Sequence, residues 1–190
     1  MEFAGLSASN RYVLSPDAVA STLPAVGDPL ANPIPTLVRT RAATSLLFID
    51  PNVTDYQSLV AGITSGTEVH VLNPIEDAVT QITQTLLGRT GISSVHIVSH
   101  GETGGLQLGT TKLDVSSLDR YTSQLDSWSQ SLTEDADILL YGCNVAQGEQ
   151  GLNFVQRLGQ ITGADIAAST DQTGDREAGG NWDLEVHTGS

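Results

Sequence analysis

A three-layer α/β/α sandwich on a mostly parallel sheet of about six strands is what this sequence predicts. Short apolar runs with no polar alternation recur along it, among them Leu46-Leu47-Phe48-Ile49, Val95-His96-Ile97-Val98 and Ile138-Leu139-Leu140-Tyr141. Strands of that composition are buried on both faces. Between them lie segments with an apolar residue every three or four positions, the period of amphipathic helices. Alternation of the two kinds is the pattern of a parallel sheet covered by helices.

The first 44 residues hold five of the seven prolines and no sustained period. They are expected to form an extended tail, linker or propeptide, and the domain is expected over 45–190. Leu46–Ile49 is the first strand, and Tyr56, Leu59, Val60 and Ile63 then mark a helix weakened by Gly62. Glu68–Leu72 is the second strand. Pro74 is placed to open a helix whose apolar face is Ile75, Ala78, Val79, Ile82 and Leu86. Val95–Val98 is the third strand, followed by a small hairpin over Gly104–Leu113. Leu118, Tyr121, Leu125, Trp128 and Leu132 then define a helix over 116–132. Asp137–Tyr141 is the fourth strand, Gln150–Ile161 a helix stopped by Gly163, and Ala164–Ala168 the fifth strand. After a loop over 174–180, alternating Trp182, Leu184 and Val186 suggest a last strand.

Eight basic against 22 acidic residues give a formal charge of −14. That field disfavours nucleic acid and anionic membrane surfaces and favours cationic partners such as basic peptides or Ca²⁺. No run approaches the roughly 18 apolar residues of a membrane helix, and 1–10 has neither the basic start nor the apolar middle of a signal peptide. The single cysteine excludes an internal disulfide and a thiolate zinc site.

Two of the apolar runs end in chemistry. The third strand runs into Ser99-His100-Gly101, and the fourth into Gly142-Cys143, the only cysteine. Residues just past the carboxyl ends of parallel strands emerge at one rim, where α/β sheets bind ligands. The 43 residues from His100 to Cys143 suffice for a crossover back to a neighbouring strand. A thiolate attacks a carbonyl, and an imidazole beside it takes the thiol proton and returns it to the leaving amine. Gly101 and Gly142 allow a substrate backbone to come close and leave an amide to face an oxyanion. His96 is read as core or as support for His100. Asp50 and Ser169-Thr170-Asp171 end strands flanking the pair, so Asp171 first and Asp50 second are candidate pocket acids for a basic side chain. Asp175, Glu177 and Asp183 are possible calcium ligands, although no loop has EF-hand spacing; no other cofactor is expected.

The blocks Val95–Gly101 and Ile138–Cys143 resemble the His-Gly and Ala/Gly-Cys blocks of the caspase-like (clan CD) cysteine peptidase superfamily. Over Ser45–His187 the chain more closely resembles the DUF4347 domain of very large bacterial, often cyanobacterial, surface proteins. Ser99-His100-Gly101, Tyr141-Gly142-Cys143-Asn144-Val145-Ala146, Thr162–Ser169 and Asn181-Trp182-Asp183-Leu184 carry that likeness. The resemblance implies a caspase-like fold and a secreted or surface setting. It also implies His100 as general acid/base, Cys143 as nucleophile and the Gly101 amide as oxyanion donor. Asn144-Val145-Ala146 departs from the caspase continuation, so specificity for Asp does not transfer.

The expected function is thus a cysteine endopeptidase, self-processing or maturing a larger surface protein, with a preference for basic residues. Its partner would be a peptide or protein, its own chain included, and Arg39 and Arg41 in the tail are the expected internal targets. The alternatives are a non-catalytic caspase-like module of a surface adhesin and an acyl-transfer enzyme using the same dyad.

Overall fold

The computed structural model describes residues 44–63 and 66–189. The Pro-rich tail, apart from Thr44, lies outside the described residues, as do Arg39 and Arg41. In chain order the elements are β1 (Ser45–Ile49), α1 (Tyr56–Ala61), β2 (Thr67–Val71), α2 (Ala78–Leu86), β3 (Ile92–Val98), β4 (His100–Glu102), β5 (Gly105–Leu108) and β6 (Thr111–Asp114). These are followed by α3 (Val115–Trp128), β7 (Leu132–Tyr141), α4 (Gly148–Thr162), β8 (Asp165–Ala168) and β9 (Val186–His187).

Six strands form one sheet in the order β2-β1-β3-β7-β8-β9, parallel except for β9, which runs antiparallel to β8. The expected α/β/α architecture is therefore present. The crossovers β2→β3, β3→β7 and β7→β8 advance across the sheet in one direction and β1→β2 in the other. Right-handed connections then place α2, α3 and α4 on one face and α1 on the opposite one. On the three-helix face Leu46, Phe48, Val95, Ile97, Ile138, Leu140 and Ile166 pack with Val79, Ile82, Leu86, Leu118, Leu125, Phe154 and Leu158 in a single core. Leu47, Ile49, Val98 and Ala167, from the alternate positions, are buried as well, which is why these strands read as unpatterned apolar runs.

Helix boundaries depart from the periodicity where side chains cap the backbone. α2 begins at Ala78, not at Pro74, because Asp77 accepts a hydrogen bond from the Thr80 amide at 2.8 Å. Ile75 is left outside and 80% exposed. Asp114 and Ser117 form a capping box that starts α3. α3 ends before Leu132, which opens β7 instead. The Ser127 and Ser129 hydroxyls bond back to the Gln124 and Asp126 carbonyls, an alternative to continued helix. The last strand is shorter than its alternation suggests. Only Val186–His187 joins the sheet, while Asn181 pairs with the loop after β8. The hairpin is present, and His100–Glu102 adds a third strand to it.

His96 is buried and stacked on Tyr141, with ring centroids 6.0 Å apart. Burial pushes the His96 imidazole down to about 4 and the Tyr141 phenol up to about 12. Because the unfolded chain takes up the His96 proton near pH 6.5 and the folded one only near 4, stability is complete above 6.5 and falls as pH drops between these values. The loss from this residue is about 3 kcal/mol. Urea melts from about pH 7.5 to 4 should show that extra loss in the native protein and not in His96→Phe; parallel pH profiles would disprove it.

Candidate functional site: a His–Cys rim

In-register pairing brings the strand ends level. Ile49 lies opposite Val98, Val98 opposite Tyr141, and Leu140 opposite Ala168. The ladder continues past them, with the Asp50 amide donating to Val98 O at 2.9 Å and the Ser99 amide to Tyr141 O at 3.1 Å. Asp50, His100, Cys143 and Ser169 therefore leave the sheet along one rim.

The backbone segments that carry His100 and Cys143 are packed together at Gly101 and Gly142. A methyl group on Gly101 would lie 2.6 Å from the Cys143 N and O atoms, and one on Gly142 would lie 3.1 Å from Gly101 Cα. The two chain segments touch backbone to backbone, which no larger residue permits. The exposed His100 ring donates from Nε2 to the Asn52 carbonyl at 3.1 Å. A carbonyl only accepts, so this contact puts the proton on Nε2 and leaves Nδ1 as the basic nitrogen. Cys143 is half-buried, and its Sγ donates to the Thr173 carbonyl at 3.7 Å.

The loop that follows Cys143 is fixed on both sides. Asn144 has the left-handed φ of 61°, which asparagine tolerates better than most residues. Its amide donates to Asp171 O at 2.7 Å, and the Ala146 amide to Ser169 O at 2.8 Å. On the other side the Gly104 amide donates to Val145 O at 3.0 Å, which ties the hairpin to the cysteine loop.

The two candidate pocket acids differ in surroundings. Asp171 is exposed, and its carboxylate accepts from Asn181 Nδ2 at 3.2 and 3.1 Å and from Ser169 Oγ at 3.2 Å. Asp50 is 1% exposed. Its Oδ1 accepts from the Asn52 amide and its Oδ2 from the Gly109 amide, both at 2.9 Å. With both oxygens committed to backbone donors, Asp50 presents no free face to a substrate. It holds Asn52, and through it His100, and the hairpin turn. Asp175 caps the 3-10 turn Arg176–Ala178 through the Glu177 amide. Among the described residues no three His, Cys, Asp or Glu side chains gather as metal ligands, Asp175, Glu177 and Asp183 included.

Asn52, Thr173 and Asn181 complete the rim and are not apparent in the sequence. Asn52 and Thr173 act through their carbonyls, which every residue has. Asn181 reaches the rim through its contact with Asp171, ten residues away. A surface hollow of about 500 Å³, lined by Asp77, Thr80, Thr110, Thr111, Lys112, Arg120 and Tyr121, shares no residue with the rim. No helix among the described residues is long and apolar enough to cross a membrane.

No curated protein and no solved structure matches the chain. One family does, the domain of unknown function (DUF4347), over residues 46–190. That span begins inside β1 and takes in the sheet, the hairpin and both halves of the rim. The chain belongs to the DUF4347 family.

Proposed function

We propose that this domain is a caspase-like cysteine endopeptidase using a Cys143–His100 dyad, which processes its own chain or matures a larger secreted or surface protein. The observation that carries this reading is the paired geometry of the rim. Gly101 is seated on the Cys143 backbone while His100 Nε2–H is held by the Asn52 carbonyl. An imidazole held through Nε2 has Nδ1 left to accept the thiol proton as Sγ bonds to the scissile carbonyl carbon. The Gly101 amide is the assigned donor to the oxyanion that forms. As the C–N bond breaks, the imidazolium returns its proton to the leaving amine, and water then hydrolyses the thioester. A second reading, a non-catalytic caspase-like module, is favoured by the hydrogen bond from Sγ to the Thr173 carbonyl, a contact that suits a structural cysteine equally well.

Labelling with a peptide electrophile separates the two readings, since only a reactive thiol couples. Mapping new amino termini after incubation, at Arg39 or Arg41 above all, tests self-processing. Asp171 is the proposed acid for a basic side chain before the scissile bond. Asp171→Ala should lower kcat/KM on basic fluorogenic peptides about 30-fold, the ~2 kcal/mol of one hydrogen bond to a charged group, with an unchanged melting temperature. Cleavage after Asp, Asn or Leu alone would refute the basic preference and leave the dyad intact.

A further inference from the structure

The way Asp171 is held selects between the two basic side chains, an inference that rests on the peptidase reading above. A guanidinium binds a carboxylate through two parallel N–H bonds, and the forked contact needs both oxygens of one edge. In this protein that edge is taken. Asn181 Nδ2 lies 3.2 Å from Oδ1 and 3.1 Å from Oδ2 of Asp171, between the two oxygens.

Asn181 is fixed there at both ends. Its Oδ1 accepts from the Asp183 amide at 2.7 Å, which settles which end of the side-chain amide faces Asp171. Its backbone donates to Gln172 O at 3.0 Å and accepts from the Gly174 amide at 2.8 Å. Ser169 Oγ, 3.2 Å from Oδ1, takes a further position on that oxygen. Of the carboxylate's four lone-pair positions these contacts occupy three and leave one, on the outer side of Oδ2. A lysine ammonium is a compact point charge that one acceptor position satisfies, whereas arginine loses half of its fork.

We propose that Asn181 is a specificity-determining residue that closes the forked edge of Asp171 and makes the site select lysine over arginine before the scissile bond. Asn181 touches no reacting atom, so its role is to position Asp171 and block one approach to it. Matched fluorogenic peptides differing only in Lys or Arg provide the test on the full chain. The native protein should show kcat/KM at least about 5-fold higher for Lys. Asn181→Ala should reverse the order, with the Arg/Lys ratio rising about 10-fold or more, and Asp171→Asn should flatten it. A general loss of loop structure would lower both rates together and would not invert their ratio.

The native ratio needs no variant and keeps the proposal open to refutation even if Asn181→Ala fails to fold. Equal or better cleavage after Arg by the native protein overturns the proposal and leaves the peptidase reading standing, as does a ratio unmoved in a folded Asn181→Ala. Absence of both peptide cleavage and thiol labelling in the native protein overturns it together with that reading.

Discussion

Cys143→Ala should abolish peptide cleavage and electrophile labelling together, a fall of about 10⁴-fold or more, as expected when a covalent nucleophile is removed. The fold should hardly notice. Cys143 is half-buried at a rim, outside the apolar core, and its side chain makes one long hydrogen bond, to Thr173. The expected change in unfolding free energy is within about 1 kcal/mol. Labelling stoichiometry and a urea melt, measured side by side, check both halves of this expectation. A large loss of stability with no activity to lose would identify Cys143 as a structural thiol and favour the non-catalytic module.

The second large effect is expected at Asp50, a residue that touches neither thiol nor imidazole. Asp50→Asn replaces one accepting oxygen by a donor, which must then face the Asn52 or the Gly109 amide. One part-buried N–H loses its partner, at a cost of about 1–3 kcal/mol. Because the Asn52 amide hangs on Asp50 and the Asn52 carbonyl receives His100, the imidazole loses its alignment as well. Turnover should fall about 100-fold on every substrate, as expected for a misplaced catalytic group. Asp171→Ala should instead act on basic peptides alone. A loss at Asp50 confined to basic peptides would restore it as a substrate-binding acid.

The rim is legible in the sequence because its logic is local. An apolar run followed by His-Gly, and another by Gly-Cys, says where each side chain leaves the sheet, and parallel pairing does the rest. The use of Asp50 is not legible. The Gly109 amide that claims its Oδ2 is 59 positions away, and nothing in the residue type shows which backbone donors will meet a carboxylate. Pro74 suggests too early a start for α2, although Asp77 with Thr80 three positions later is a capping pattern that outranks it. Alternation at Trp182, Leu184 and Val186 suggests too long a last strand. It describes side-chain placement, while ladder membership is decided by the partner, and Asn181 is taken by the loop after β8. Asp175 and Glu177 suggest calcium by composition alone, whereas the Asp175 carboxylate caps a short turn through the Glu177 amide.

The strand order has a consequence in time. β3 and β7 are neighbours in the sheet, yet α3 and the hairpin separate them in the chain. The imidazole and its carbonyl anchor are in place by residue 100, but the thiol arrives at 143 and its contacts at 171–173 come later still. On a ribosome the first half therefore emerges without Cys143, and the rim is complete only after β8 and the loop beyond it have emerged. Refolding from urea should regain thiol labelling in a slow phase, behind the helical signal, because pairing over such sequence distances must precede it.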